Sequence, residues 1–140
     1  MSRNTMDNST YILPFTVANH DNFLMESHGI IRLEGMNFHI EYQSKDSFIG
    51  VVKTSVKELD VPLDQIQTIQ FKKGLFTQSL YIQAKQMRIF GDVPGSKQAG
   101  IELKIKRSDR KTAEYLASAA NLRLSELRLA AYDSKEELLP

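Results

Sequence analysis

Along most of the chain apolar and polar residues alternate with a period of two, the mark of strands that lay one face on a core. The clearest run is Met36, Phe38, Ile40 and Tyr42, interleaved with Asn37, His39 and Glu41. Ahead of it, Ile31 and Leu33 flank Arg32. Glu34-Gly35 lies between the two runs, and glycine there accepts the positive φ of a tight turn. Gly29 to Tyr42 is therefore predicted to be a hairpin. Val56 to Val61 repeats the alternation with Leu59 and Val61 on the core side. Pro62 ends that run, since proline cannot donate to a ladder.

The stretch Glu58 to Phe76 organises the middle of the chain. Leu63 and Ile66 tuck under the turn at Val61-Pro62-Leu63-Asp64. Gln65 to Lys73 restarts as a strand with Ile69 and Phe71 inward, and Gly74 breaks it. Ser79 to Lys85 puts Leu80, Ile82 and Ala84 on one face, and Met87 to Phe90 is a candidate for the next pairing. Gly91 to Gly100 is dense in Gly and Pro and reads as a loop. Ile101, Leu103 and Ile105 mark the last strand.

At Ser108 the period changes to three and four. Ala113, Leu116, Ala117, Ala120, Leu124 and Leu127 form an amphipathic stripe, with Ser108 as a candidate N-cap and Asp109 in the first turn. Neither Gly nor Pro interrupts Ser108 to Glu137, so the helix should reach about Ala130 or a little further. Leu122 and Leu129 lie off the stripe. They are read as finishing the helix packing, with a partner surface as the alternative.

Two segments fit less well. Tyr11 to Val17 is apolar but carries Pro14, which argues for an edge strand or a docking arm rather than a central strand. Phe48 to Thr54 reads as a short strand or a covering loop. The expected organisation is a mobile N-terminal arm (1–20), one folded domain (21–131) and a frayed tail (132–140). The fold class is mainly β with one C-terminal helix: about seven short strands in a strongly bent antiparallel sheet, capped by the helix.

Composition narrows the function classes. The chain has 140 residues, enough for one domain with a proper core. Eighteen Lys and Arg against seventeen Asp and Glu leave a net charge of +1, so coating nucleic acid is not expected. No cysteine is present, which removes disulfides, thiolate metal sites and a cysteine nucleophile. No apolar run approaches the roughly 20 residues of a membrane span, and no signal peptide is evident, so a cytoplasmic location is the default.

The string Val61-Pro62-Leu63-Asp64-Gln65-Ile66, followed by a strand, Gly74, the strand of Leu80 and Ile82, and a final helix, resembles bacterial pleckstrin-homology-like (PH-like) domains. The likeness spans roughly Asn22 to Leu129 and rests on fold-forming residues, so it speaks to architecture more than to activity. It also raises phosphoinositide binding. Lipid-binding members carry Lys and Arg around the first hairpin. Here that turn is Leu33-Glu34-Gly35-Met36 with only Arg32 nearby, which counts against headgroup recognition there.

No catalytic constellation is legible. His20, His28 and His39 sit in no helical metal-ligand spacing, and His39 is read as solvent-facing. Asp64 is expected on turn amides. No enzyme activity, cofactor or metal is expected. Three places are candidates for binding. Gly95, Ser96 and Lys97 could cradle an anion on successive amides, against a plain flexible loop. Lys72 and Lys73 beside Leu75 and Phe76 could meet a membrane or an apolar partner groove, against Phe76 folding back on the barrel rim. Lys104, Lys106, Arg107, Arg110 and Lys111 form a basic cluster diluted by Glu102, Asp109 and Glu114. The leading expectation is a non-enzymatic protein-interaction or scaffolding domain, self-association included, using exposed sheet edges and the Leu75-Phe76 tip. The alternative is a peripheral membrane or anionic-ligand module using Lys72, Lys73 and Lys97.

Overall fold

The computed structural model describes residues 9–18, 26–45, 54–91, 93 and 95–137. The readings of Met1 to Asn8, of Phe48 to Lys53 and of the last three residues lie outside them. Seven strands are present: β1 (Tyr11–Ala18), β2 (Glu26–Glu34), β3 (Asn37–Lys45), β4 (Thr54–Pro62), β5 (Ile66–Lys73), β6 (Gln78–Ala84) and β7 (Gly100–Ile105). One helix, α1 (Arg110–Glu137), follows. All strands pair antiparallel in a single sheet of order β4-β3-β2-β1-β7-β6-β5. This is the fold class the alternation pattern predicts.

The alternation becomes register. Phe38 sits opposite Leu33 and Val61, and Ile40 opposite Ile31 and Leu59. In the other half Leu80 faces Leu103 and Phe71. The inner face of the sheet thus carries a continuous apolar layer of fully buried Leu13, Ile31, Leu33, Phe38, Ile40, Leu80, Ile82 and Leu103. One sheet can bury such a layer only by curling around it and closing the ends. Ala113, Leu116, Ala120 and Leu124 of α1 close one.

The corner between β4 and β5 is a single 3-10 turn, Leu63–Gln65. Leu63 and Ile66 are fully buried, and the Leu63 amide donates to the Met36 carbonyl at 2.8 Å, which fastens the corner to the β2–β3 turn. Gly35 makes that turn with φ +54. The Asp64 carboxylate, expected on turn amides, instead accepts from Gln65 Nε2 at 3.4 Å.

Five expectations are corrected. Tyr11–Ala18 is not an arm but a central strand between β2 and β7. Proline is tolerated because β1 meets β7 through the single pair Thr16–Lys104, two residues past Pro14, so the ladder on that side is not made where the donor is missing. Met87 to Phe90 forms turns, not a strand, and buries Phe90 in the core together with Val93. The helix starts through a 3-10 turn, Arg107–Asp109, which takes in Ser108, the expected N-cap. It then runs to Glu137, well into the segment expected to fray. Last, Leu122 and Leu129 do not finish the packing: they are 57% and 63% exposed.

Arg123, which the period did not single out, is buried among the apolar residues of α1. Its guanidinium donates to the carbonyls of Gly35 and Ser9, each at 2.8 Å. Helix, first hairpin and the start of β1 are thereby joined. A buried cation is tolerable when its donors are satisfied, and guanidinium offers five in a fixed fork.

Candidate functional site

The two outer edges of the sheet have different fates. At β5 the helix supplies partners for the exposed backbone: Asn121 Nδ2 donates to Ile69 O at 3.0 Å and Arg128 to Gln67 O at 2.7 Å. At β4, no strand among the described residues pairs with the outer side. A groove of about 390 Å³ runs beside it, lined by Tyr42, Glu58, Leu59 and the turn residues Met87, Arg88 and Ile89. Met87 is 72% exposed. Unpaired N–H and C=O groups flanked by apolar side chains are what an added strand requires.

The β5–β6 hairpin carries the other apolar feature. Leu75 is 93% exposed and Phe76 92% exposed, so Phe76 does not fold back on the rim. Gly74 donates to Thr77 O at 2.8 Å and closes the tip as a tight turn, which leaves those two side chains no core to reach. The two lysines beside them are engaged. Lys73 Nζ lies 2.7 Å from Glu114 Oε1 of α1, and Lys72 Nζ lies 5.3 Å from the centre of the Tyr81 ring. The Lys73 ammonium holds the Glu114 carboxyl below its ordinary value, mainly through that hydrogen bond. The tip therefore presents apolar surface with its neighbouring cations already turned toward the body of the protein.

Gly95 and Lys97 line an open depression of about 350 Å³ on the outer face of β6 and β7, with Thr77, Ser79, Tyr81, Glu102 and Lys104. Lys72, over Tyr81, borders it. The structure thus brings together residues read separately along the chain: Lys72 from the hairpin, Gly95 and Lys97 from the loop, Lys104 from the basic cluster. It withdraws the proposed amide cradle, however. Ser96 N donates to Val93 O at 3.2 Å and Lys97 N to Gly100 O at 2.8 Å, so two of the amides expected to hold an anion are spent on the loop itself. Gln98 and Ala99 have φ of 49° and 67°, the two left-handed positions of a tight hairpin turn, in a conformation that usually selects Asn or Gly. Tyr81 lies flat across Gly100, where an added Cβ would meet its hydroxyl at 2.5 Å.

A polar quartet occupies the outer face of β3 and β4. His39 and Glu41 stand two apart on β3, opposite Asp60 and Glu58 on β4. His39 Nδ1 contacts Asp60 Oδ1 at 2.5 Å, and Nε2 contacts Glu41 Oε1 at 3.1 Å. With a carboxylate at each ring nitrogen the imidazolium is favoured, and the Asp60 hydrogen bond is the main cause of a raised His39 pKa. Arg32 bridges Glu41 at 3.4 Å and Glu34 at 3.5 Å. The ligand atoms of His39, Glu41 and Glu58 lie within 4.8 Å of one another, a metal-compatible spacing. His39 and Glu41 are already engaged in an ion-pair network with Asp60 and Arg32. Helical histidine spacing does not reveal this group, because its members sit on two paired strands. The strand spacing of His39 and Glu41, two apart on one face, is the signal that does.

Among the described residues no helix is long and apolar enough to cross a membrane. No family model, no curated protein and no solved structure matches the chain.

Proposed function

We propose that the protein is a non-enzymatic interaction or scaffolding domain of the PH-like kind, cytoplasmic, that docks a protein partner through the β5–β6 tip. The observation that carries this reading is the near-complete exposure of Leu75 and Phe76 at the end of a rigidly closed hairpin. Two adjacent large apolar side chains held in water cost solubility and gain nothing for folding, so a partner groove is the economical use for them. The engaged state of Lys72 and Lys73 supports a protein groove over an anionic bilayer, which would draw on free cations at the tip. The open β4 edge beside its apolar groove is a second surface for a protein segment.

The test is a photo-reactive phenylalanine analogue at position 76, with the same group at exposed position 64, at the opposite end of β5, as control. One discrete protein adduct from position 76 is the expected result. Adducts no different from the control would remove the reading.

The membrane or anionic-ligand reading keeps one specific observation in its favour, the depression bordered by Lys72, Lys97 and Lys104 below the tip. Sedimentation with anionic vesicles at low and high salt decides it: an absence of salt-sensitive binding disposes of it.

A further inference from the structure

α1 has 28 residues, a length of about 42 Å, and only its first half is supported by the sheet. Its inward side chains are buried as far as Leu124 and half-buried at Leu127. From Arg128 to Lys135 every residue is exposed. The one described tie of this overhang to the body is the Arg128 bond to Gln67 O. A helical end of this length is marginal in water on its own.

The outward face is not a scatter of polar residues. Tyr115, Leu122, Leu129 and Tyr132 are exposed by 61%, 57%, 63% and 60%. Their spacing is seven, seven and three. The intervening positions three residues after Tyr115 and Leu122 hold Ser118 and Ser125. This is a heptad seam with large residues at one core position and, until Tyr132, small ones at the other. It points away from the barrel, since Leu122 and the buried Leu124 are about 200° apart around the helix.

We infer that this seam pairs with the same seam of a second copy, antiparallel, to make a two-fold symmetric dimer. In that arrangement the two core positions alternate across the interface. Tyr115 meets Tyr132 of the second copy, Leu122 enters the gap over Ser125, and Leu129 enters the gap over Ser118. A parallel pair would stack serine on serine and leave voids where the antiparallel pair interdigitates. Charge agrees: Lys135 on the overhang comes beside Glu114 of the other helix, at flanking positions, and would share that carboxylate with Lys73. The unsupported end of each helix rests on the barrel-supported half of its partner, which answers the overhang. Both copies use the same patch, so the assembly closes at two. The seam touches the hairpin only at its flank, where Glu114 holds Lys73, uses neither Leu75 nor Phe76, and stands whether or not the tip docks a partner.

Four large side chains per copy make a small interface, below about 1,200 Å² in total, so a reversible dimer in the micromolar range is expected. Sedimentation velocity over about 1 to 500 µM tests it. The wild-type protein should shift from monomer to dimer in that range. Leu122→Asp/Leu129→Asp should weaken association at least about 100-fold, with circular dichroism and Tm matching wild type at about 1 µM, where both are monomeric, because both sites face water. The tip variant Leu75→Ser/Phe76→Ser should dimerise as the wild type does. Ser125→Leu should weaken association about tenfold by blocking the gap that Leu122 enters. A strict monomer at the highest concentration, or a dimer indifferent to Leu122 and Leu129, overturns the proposal. Tighter association of Ser125→Leu overturns the antiparallel arrangement.

Discussion

The two ends of β5 carry nearly the same chemistry to opposite fates. At one end Leu63 and Ile66 are buried completely within four residues of a proline. At the other, Leu75 and Phe76 are bare to water. Hydrophobicity alone does not separate them. What separates them is backbone: the 3-10 corner turns its side chains under the sheet and is held by the Met36 carbonyl, whereas the Gly74–Thr77 turn extends beyond the last layer the core can reach. An apolar pair is structural where the chain bends inward, and available for binding where the chain bends at the rim.

Substitutions sharpen this contrast in order of size. Leu63→Ala should cost the most, about 3 kcal/mol of unfolding free energy in urea titration, because a fully buried leucine leaves a cavity. A cost below about 1 kcal/mol would mean that the corner is not a fold determinant. Arg123→Met comes next, at about 2 kcal/mol. It keeps the packing of the stem but strands the Gly35 and Ser9 carbonyls, and amide exchange in the β2–β3 turn should speed up with it. His39→Ala should cost under about 1 kcal/mol, as expected for pairs with exposed carboxylates. The sign of its pH dependence follows from the raised pKa. The imidazolium contribution is fully present below the ordinary value of 6.5 and is lost as pH rises through the raised value. Wild type and variant should therefore converge in Tm toward alkaline pH, and a gap that widens there would refute the charged network. Leu75→Ser/Phe76→Ser should stay within about 0.5 kcal/mol of wild type, since no core contact is lost.

The parts of the molecule read best from sequence are those where one physical rule acts alone. Alternation fixed the faces of β2 to β7, because a one-residue slip would turn a whole strand inside out. The corner at Pro62 was legible for the same reason. Where two rules competed, the reading failed. Pro14 argued for an edge, yet Leu13, Phe15 and Val17 are all buried, and the sheet met both demands by leaving β1 almost unpaired with β7 at that point. Met87 to Phe90 looked like a strand because Ile89 and Phe90 are apolar, but Phe90 is buried as a plug rather than as part of a ladder. Of the candidate binding residues, Leu75 and Phe76 were legible as apolar beside a turn. Their exposure was not, because it depends on where the core ends. The grouping of Lys72, Lys97 and Lys104 and the quartet around His39 depend on strand order, which no local pattern carries.

The position of β1 has a consequence for how the chain acquires its structure. The first strand to be made is also the one that joins the two halves of the sheet, and its link to β7 waits for Lys104. The guanidinium that fastens its start belongs to Arg123, and the two Arg123 bonds span 88 and 114 residues. Contacts of such separation are slow to close, because the loop entropy is lost before the contact rewards it. The β2–β3–β4 meander can form early from neighbours in sequence. During synthesis β1 can pair with β2 along its whole length, while its β7 side and the Arg123 bond at its start wait for the C-terminal part of the domain.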